Sequence, residues 1–71
     1  MDRVRVQSSN IASVGYDPET STLEIEFVNA NVYQYFGVPA DVHEGLMVAG
    51  SKGSYFHHHI KKAGYRCSKV G

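Results

Sequence analysis

TLEIEF at residues 22–27 and VYQYF at residues 32–36 are the two segments that decide the fold of this chain. In the first segment apolar and polar residues alternate, which predicts a β-strand with one buried face and one wet face. The second segment is rich in β-branched and aromatic residues and is stopped by Gly37. The linking residues 29–31, Asn-Ala-Asn, suit a tight turn because asparagine tolerates positive φ. The two segments therefore predict an antiparallel hairpin.

The register of this hairpin decides whether the side chains of Tyr33 and Tyr35 face the core or the solvent. With residues 29–31 as a three-residue loop, Phe27 lies opposite Tyr33. Ile25 then lies opposite Tyr35, so both tyrosines point inward. With a two-residue turn the tyrosines instead share a face with two glutamates. The inward register is favoured because it leaves the intervening glutamine on the polar face.

Another extended segment precedes the hairpin, at about residues 11–17. Its alternation places Ala12, Val14 and Tyr16 on one face, which predicts a strand that pairs with the hairpin. At the other end of the chain, residues 65–70 are compatible with a short fourth strand or with an extended tail. The predicted sheet is therefore a three-stranded antiparallel meander, with that last segment open.

Helical signals lie between the hairpin and the C-terminal segment. Pro39 suits the first turn of a helix, and Gly50 is a natural stop for it. Ser51 is a typical N-cap for a second helix that runs to about Ala63. Gly53 weakens that helix by itself, so we expect it to permit a close approach to the first helix or to the sheet. The predicted fold class is α+β, with the meander followed by two helices.

The length of 71 residues predicts a single domain, residues 1–71, whose core spans about residues 8–66. We expect residues 1–7 and 67–71 to be flexible. A chain of this size buries only about 60% of its unfolded surface, which leaves little room for a deep catalytic cleft. At 42% hydrophobic and 20% charged, the composition is that of a globular protein.

The cellular setting is predicted from what the sequence contains. Cys67 is the single cysteine, so no internal disulfide can form, and this favours a reducing compartment. The apolar runs are far shorter than the roughly 20 residues that a membrane span needs. Residues 1–5 do not resemble a secretory signal. We therefore expect a soluble cytoplasmic protein with no membrane partner.

The residues that often carry catalysis or bind metals are not arranged for either task. Three consecutive histidines, residues 57–59, point about 100° apart on a helix and cannot converge on one metal ion. The Gly50–Gly53 segment does not have the spacing of a phosphate-binding P-loop. The sequence accordingly predicts no enzyme activity, no catalytic residue, no metal site and no cofactor.

Three segments of the chain resemble one known family. They are SNIASVGYD at residues 9–17, VYQYFGVP at residues 32–39, and SKGSYF at residues 51–56 followed by His59-Ile60-Lys61. Together they resemble the KTSC domain, which occurs at the C-terminus of some lysyl-tRNA synthetases and as a stand-alone bacterial protein. The family's central Tyr-x-Tyr corresponds to Tyr33 and Tyr35. The resemblance covers about residues 8–66 and implies RNA binding, by association with the synthetase.

The charges of the chain are segregated although the net charge is zero. Residues 17–44 contain acids and no lysine or arginine, whereas residues 52–69 contain bases and no acid. The basic part predicts a surface for RNA or another polyanion, unless the two halves pair with each other and cancel. Candidate RNA-binding residues are Lys52, Tyr55, His57, His58, Lys61, Lys62, Arg66 and Lys69. The lysines and the arginine would contact phosphates, the histidines would assist when protonated, and Tyr55 would stack on a base.

A second hypothesis is a protein-interaction module. The outer strands of a small sheet expose unpaired backbone groups that accept another strand. A domain this small also gains stability by self-association. The chain would then bind a protein partner or form a homo-oligomer, and its binding would survive high salt.

Overall fold

The computed structural model describes residues 1–71 and contains one antiparallel sheet and two helical segments. The strands are β1 (Val4–Arg5), β2 (Ile11–Asp17), β3 (Thr22–Phe27), β4 (Val32–Tyr35) and β5 (Cys67–Lys69), in the spatial order β1-β2-β3-β4-β5. The helices are α1 (Ala40–Val48) and α2 (Lys52–Phe56), and α2 continues as a π-helical turn, His57–Lys61. The α+β prediction is confirmed, and the sheet has five strands instead of three.

The two additional strands come from the ends of the chain. In β1, Val4 pairs with Val14 of β2. In β5, Cys67 pairs with Tyr35 and Lys69 pairs with Tyr33, so the C-terminal segment forms a strand. Both ends that were expected to be flexible therefore contribute edge strands, and their mobility stays a prediction.

A β-bulge at the start of β2 changes which residues of that strand are buried. The pairing shifts between Ile11, opposite Phe27, and Ser13, opposite Glu26. Ala12 is the extra residue, and the resulting offset turns Ile11 into the core, where its side chain is fully buried. The prediction that Ala12 shares a face with Val14 and Tyr16 through strict alternation is wrong, because alternation does not continue through a bulge.

The β3–β4 hairpin has the predicted facing but a different register. Ile25 pairs with Tyr33, and Leu23 pairs with Tyr35. The turn is formed by residues 28–30, with Ala30 at a φ of 74°, so the register differs by two residues from the favoured one. A shift of two residues keeps each side chain on its face. The inward orientation of both tyrosines is thus confirmed, whereas their predicted partners were wrong.

The second helix begins as predicted and then changes its winding. Ser51 is the N-cap, and its hydroxyl accepts a hydrogen bond from the backbone N–H of Ser54 at 3.3 Å. Beyond Phe56 the backbone is π-helical, with the N–H of Lys62 donating to the carbonyl of His57 at 3.1 Å. The helical structure ends at Lys61, two residues before the predicted end.

The helices cover one face of the sheet and bury a core of nine side chains. These are Ile11, Val14, Leu23, Ile25, Tyr35, Val38, Leu46, Phe56 and Ile60. Two glycines permit the close packing around this core. A Cβ on Gly53 would lie 3.3 Å from Oδ1 of Asn10, so the start of α2 closely approaches the segment that leads into β2. Gly45 of α1 lies against the ring of Tyr55 in the same way. None of the helices is long and apolar enough to cross a membrane.

The opposite face of the sheet is polar and is partly covered by the N-terminal segment. Arg3 forms an ion pair with Glu24, and its Nε donates to Oγ of Ser13 at 2.9 Å. Gln34 donates to the other carboxylate oxygen of Glu24 at 2.8 Å, and Ser13 donates to Glu26 at 2.8 Å. The glutamates of β3 are therefore engaged on this face, away from the helices.

Candidate functional site: an aromatic groove with a basic rim

A groove of about 510 Å³ opens between the helical face of the sheet and the π-helical turn. Its apolar surface is built largely from aromatic side chains of β3, β4, α2 and the segment before β5. These are Phe27, Tyr33, Tyr35, Phe56 and Tyr65. The volume lies within the range of about 300–1,000 Å³ that is typical of small-molecule sites.

Four of these rings form a closed circuit. Phe27 meets Tyr33 and Phe56 edge-on, with ring centroids 6.0 and 5.3 Å apart. Tyr35 meets Phe56 edge-on at 5.5 Å and lies 6.4 Å from Tyr33. Edge-to-face pairs at such separations are favourable for aromatic quadrupoles, so each ring fixes its neighbours. Phe27 and Tyr33 remain partly exposed, whereas Tyr35 and Phe56 are buried.

The two tyrosines bring polar groups to this apolar wall. The side-chain hydroxyls of Tyr33 and Tyr35 make no hydrogen bond within the chain, in contrast to those of Tyr16 and Tyr55. Burial, together with the nearby Cys67 and Tyr33, raises the pKa of Tyr35 to about 12. The Tyr35 hydroxyl therefore stays protonated at neutral pH and can donate a hydrogen bond.

The rim of the groove is cationic. His57 and Lys61 line it from the π-helical turn, on the same side as the buried Phe56 and Ile60. Lys69 pairs directly with Tyr33, which places its side chain on the groove side of the sheet because paired residues share a face. No acidic side chain lines the groove.

The acidic and basic parts of the sequence do not neutralise each other through ion pairs. Arg3 and Glu24 form the one salt bridge of the chain, and Arg3 belongs to neither part. The bases of residues 52–69 form none. The bases of the C-terminal part thus stay free of ion pairs, with a cationic rim on the helical face and Glu24 and Glu26 on the opposite face.

The structure divides the predicted RNA-binding residues into three groups. His57 and Lys61 line the groove, and Lys69 faces it. His58, Lys62 and Arg66 are exposed but do not line it. Lys52 and Tyr55 have structural contacts instead.

Those contacts occupy the polar groups of both side chains. Nζ of Lys52 donates to the carbonyls of Met47 and Ala49, at 3.1 and 3.2 Å, and so caps the C-terminal end of α1. The hydroxyl of Tyr55 donates to the carbonyl of Val42 at 3.0 Å. The ring of Tyr55 lies against that of His59, with centroids 4.3 Å apart and planes tilted by 31°, so part of its surface is already covered.

Sequence reasoning missed the part played by Phe27, Phe56 and Cys67. Phe27 was predicted only as part of the inward face of the hairpin and Phe56 was given no role, and both line the groove. Cys67 was placed in a flexible tail, but its pairing with Tyr35 brings it to the groove wall. The local pattern around Cys67 contains no signal for this position, because the pairing joins segments far apart in the chain.

A comparison of the whole sequence identifies the family. The sequence profile of the KTSC domain matches residues 7–65. The chain belongs to the KTSC domain family. A KTSC domain protein from Yersinia pestis has a crystal structure that superposes with a TM-score of 0.93. It is 46% identical in sequence, and the match covers 99% of this chain and 97% of that one.

Two relatives show the contexts in which such a KTSC domain occurs. A protein of Stutzerimonas stutzeri is 44% identical over 70 residues, which are 99% of each chain. A lysine–tRNA ligase of Nostoc sp. is 45% identical over 58 residues, which are 82% of this chain and 10% of the ligase. The KTSC domain is therefore a small part of that ligase, and the ligase activity is a property of the whole enzyme.

Proposed function

We propose that this KTSC domain is a non-enzymatic module that binds single-stranded RNA through the aromatic groove and its basic rim. The observation that carries the proposal is the combination of exposed aromatic surface with a rim that has cations and no acid. Proteins that bind single strands commonly combine these two features, since bases stack on aromatic rings and cations follow the phosphates. A cytoplasmic location, as predicted from the sequence, belongs to the same proposal.

In this proposal the RNA binds in the groove, and not mainly on the exposed surface of the second helix as the sequence suggested. Lys61 and Lys69 are the principal phosphate contacts, since both face the groove. Lys62 and Arg66 extend the positive surface outside it. The relatives that are lysine–tRNA ligases act on a tRNA, and a domain carried by such an enzyme has RNA within reach.

The test is fluorescence anisotropy of a labelled mixed-sequence single-stranded RNA, titrated with the protein at low salt and at about 200 mM salt. With four phosphate contacts, the logarithm of the affinity should fall with the logarithm of the salt concentration with a slope of about −3, at −0.7 per contact. Lys61→Glu should weaken binding and make this slope shallower by about 0.7, because one contact is lost.

The matched control is Arg5→Glu, which makes the same change in net charge. Arg5 is exposed on β1, at the edge of the sheet farthest from β5. A uniform effect of net charge would weaken binding equally in both variants and would contradict the groove as the site. Absence of binding at low salt would contradict RNA binding as a whole.

The structure also offers a surface for the alternative, a protein-interaction module. The strand β5 is exposed throughout, and no strand of the chain pairs with its outer edge. Such an edge can accept a strand from a partner or from a second copy. This alternative predicts an assembly that persists at about 1 M salt, where charge interactions are screened. Light scattering across protein concentrations measures self-association directly.

A further inference from the structure

We infer that the groove is a pocket for one unpaired nucleobase, which stacks on Tyr33 while the flanking phosphates lie at Lys61 and Lys69. The inference rests on the proposed function and specifies its ligand: a base with a free edge, as in a single strand or a loop.

The volume and the aromatic lining of the groove suit a flat ligand of limited size. The buried rings of Tyr35 and Phe56 close its deep side, and the partly exposed ring of Tyr33 remains available for contact. Bases within a duplex are stacked on one another and paired, so they cannot enter such a pocket without leaving the stack. An unpaired base can be splayed out and stacked on an aromatic side chain.

The polar groups in the groove select a ligand with a polar edge over a purely apolar one. The ring of Tyr35 is buried, but its hydroxyl has no hydrogen-bond partner within the chain and reaches the solvent, since no buried side-chain oxygen lacks a partner. The Asn10 amide and the Cys67 thiol also line the groove. An apolar occupant such as an acyl chain would bury the Tyr35 hydroxyl without a hydrogen bond, which is costly. A nucleobase presents donors and acceptors along its edge and can satisfy these groups.

The charges of the rim indicate that the base belongs to an anionic ligand. Lys61 lies on the helical wall of the groove, and Lys69 lies on the sheet side, opposite Tyr33. A strand that places one base in the groove can therefore meet a cation from either wall. His57 adds a further donor on the helical side. A neutral aromatic ligand would leave these cations unused.

The experiment compares three labelled probes of equal charge by anisotropy at constant salt. They are a short single-stranded RNA, the same backbone with abasic sites, and an RNA duplex matched in number of phosphates. We expect the single strand to bind about 5- to 150-fold more tightly than the abasic probe, the range for loss of one stacked base. Tyr33→Leu should remove this preference, whereas Tyr33→Phe should retain most of it because the ring remains.

The single cysteine supplies a second readout that does not depend on any variant folding. Cys67 is exposed and lines the groove, so its alkylation rate reports occupancy of the groove. Saturating single-stranded RNA should slow the alkylation of Cys67 in the wild-type protein if the groove is occupied, and the abasic probe should slow it much less. Circular dichroism of both Tyr33 variants shows whether each is folded.

The outcomes separate this inference from the proposed function. Equal affinity for the intact and abasic strands, together with salt-dependent binding, would overturn the base pocket and leave the polyanion surface standing. An alkylation rate of Cys67 that bound RNA leaves unchanged would likewise overturn the base pocket and leave the polyanion surface standing. Failure of every probe to bind at low salt would overturn both proposals. A preference for the single strand that is lost in Tyr33→Leu and accompanied by protection of Cys67 would establish the pocket.

Discussion

Substitution of Gly45 by alanine tests the packing of the two helices, because helix propensity and the structure predict opposite signs. Gly45 lies inside α1, where replacing glycine by alanine ordinarily stabilises a helix by about 1 kcal/mol. A Cβ at this position would, however, overlap the hydroxyl of Tyr55 and lie 2.7 Å from its Cζ atom. The ring would have to move and release its 3.0 Å hydrogen bond to Val42.

The expected net effect is a loss of stability. Overpacking costs about 1–3 kcal/mol and the lost hydrogen bond about 0.5–1.5 kcal/mol, against the gain of about 1 kcal/mol from helix propensity. The free energy of unfolding of Gly45→Ala should therefore fall by about 0.5–3.5 kcal/mol. For a domain of this size, each kcal/mol corresponds to about 4–8 °C in Tm.

Urea unfolding followed by far-ultraviolet circular dichroism measures this difference. Gly50→Ala is the matched control, since no atom lies within 4 Å of a Cβ there, and we expect it to be neutral or slightly stabilising. In a Tyr55→Leu background the clash is removed, so Gly45→Ala should become stabilising. If Gly45→Ala is as stable as the wild-type protein or more so, the close contact between α1 and Tyr55 is refuted.

Two further predictions concern ionisable groups on the two faces of the sheet. Burial raises the pKa of Glu24, but hydrogen bonds from Gln34 and Arg3 and the charge of Arg3 outweigh it, and the net pKa lies below the ordinary 4.5. The stability that this carboxylate contributes is therefore complete above about pH 4.5 and is lost as the pH falls through the pKa of the folded state. The wild-type protein and Glu24→Gln should accordingly differ less in their free energies of unfolding at acidic pH than at neutral pH. A difference that stays constant from neutral pH to about pH 3 would contradict this linkage. In a spectrophotometric titration, one tyrosine should ionise near pH 12 because Tyr35 is buried beside Cys67, and this late step should be missing in Tyr35→Phe. A late step that persists in the variant would assign it to another tyrosine.

The Tyr-x-Tyr motif shows which features of the hairpin the alternation of residues can predict and which it cannot. Alternation in β3 identified its buried face. Placing Gln34 on the polar face then indicated that Tyr33 and Tyr35 lie on the buried face of the sheet. The exact partners did not follow, because a turn at residues 28–30 competes with one at residues 29–31. Two hairpins that differ by two residues bury the same side chains, so the hydrophobic pattern cannot distinguish them.

The candidate site was predicted in part, because the sequence shows where bases cluster but not which of them have structural contacts. Clustered bases pointed to the C-terminal half, and the groove includes Lys61 and His57 from that half. Lys52 and Tyr55 looked equally available in the sequence. Their contacts with α1 could not be anticipated, since these depend on how closely two helices pack around Gly45.

Local chemistry in the sequence was sufficient for the fold class, the central strands, the start of each helix and the segregation of charge. Periodicity and capping act between residues close in the chain, so they can be read without the fold. Tertiary structure decided the bulge at Ala12, the pairing of Cys67 with Tyr35, and the groove itself. Each of these depends on contacts between segments distant in sequence. Their geometry is set by packing a whole core to high density, and not by any single segment.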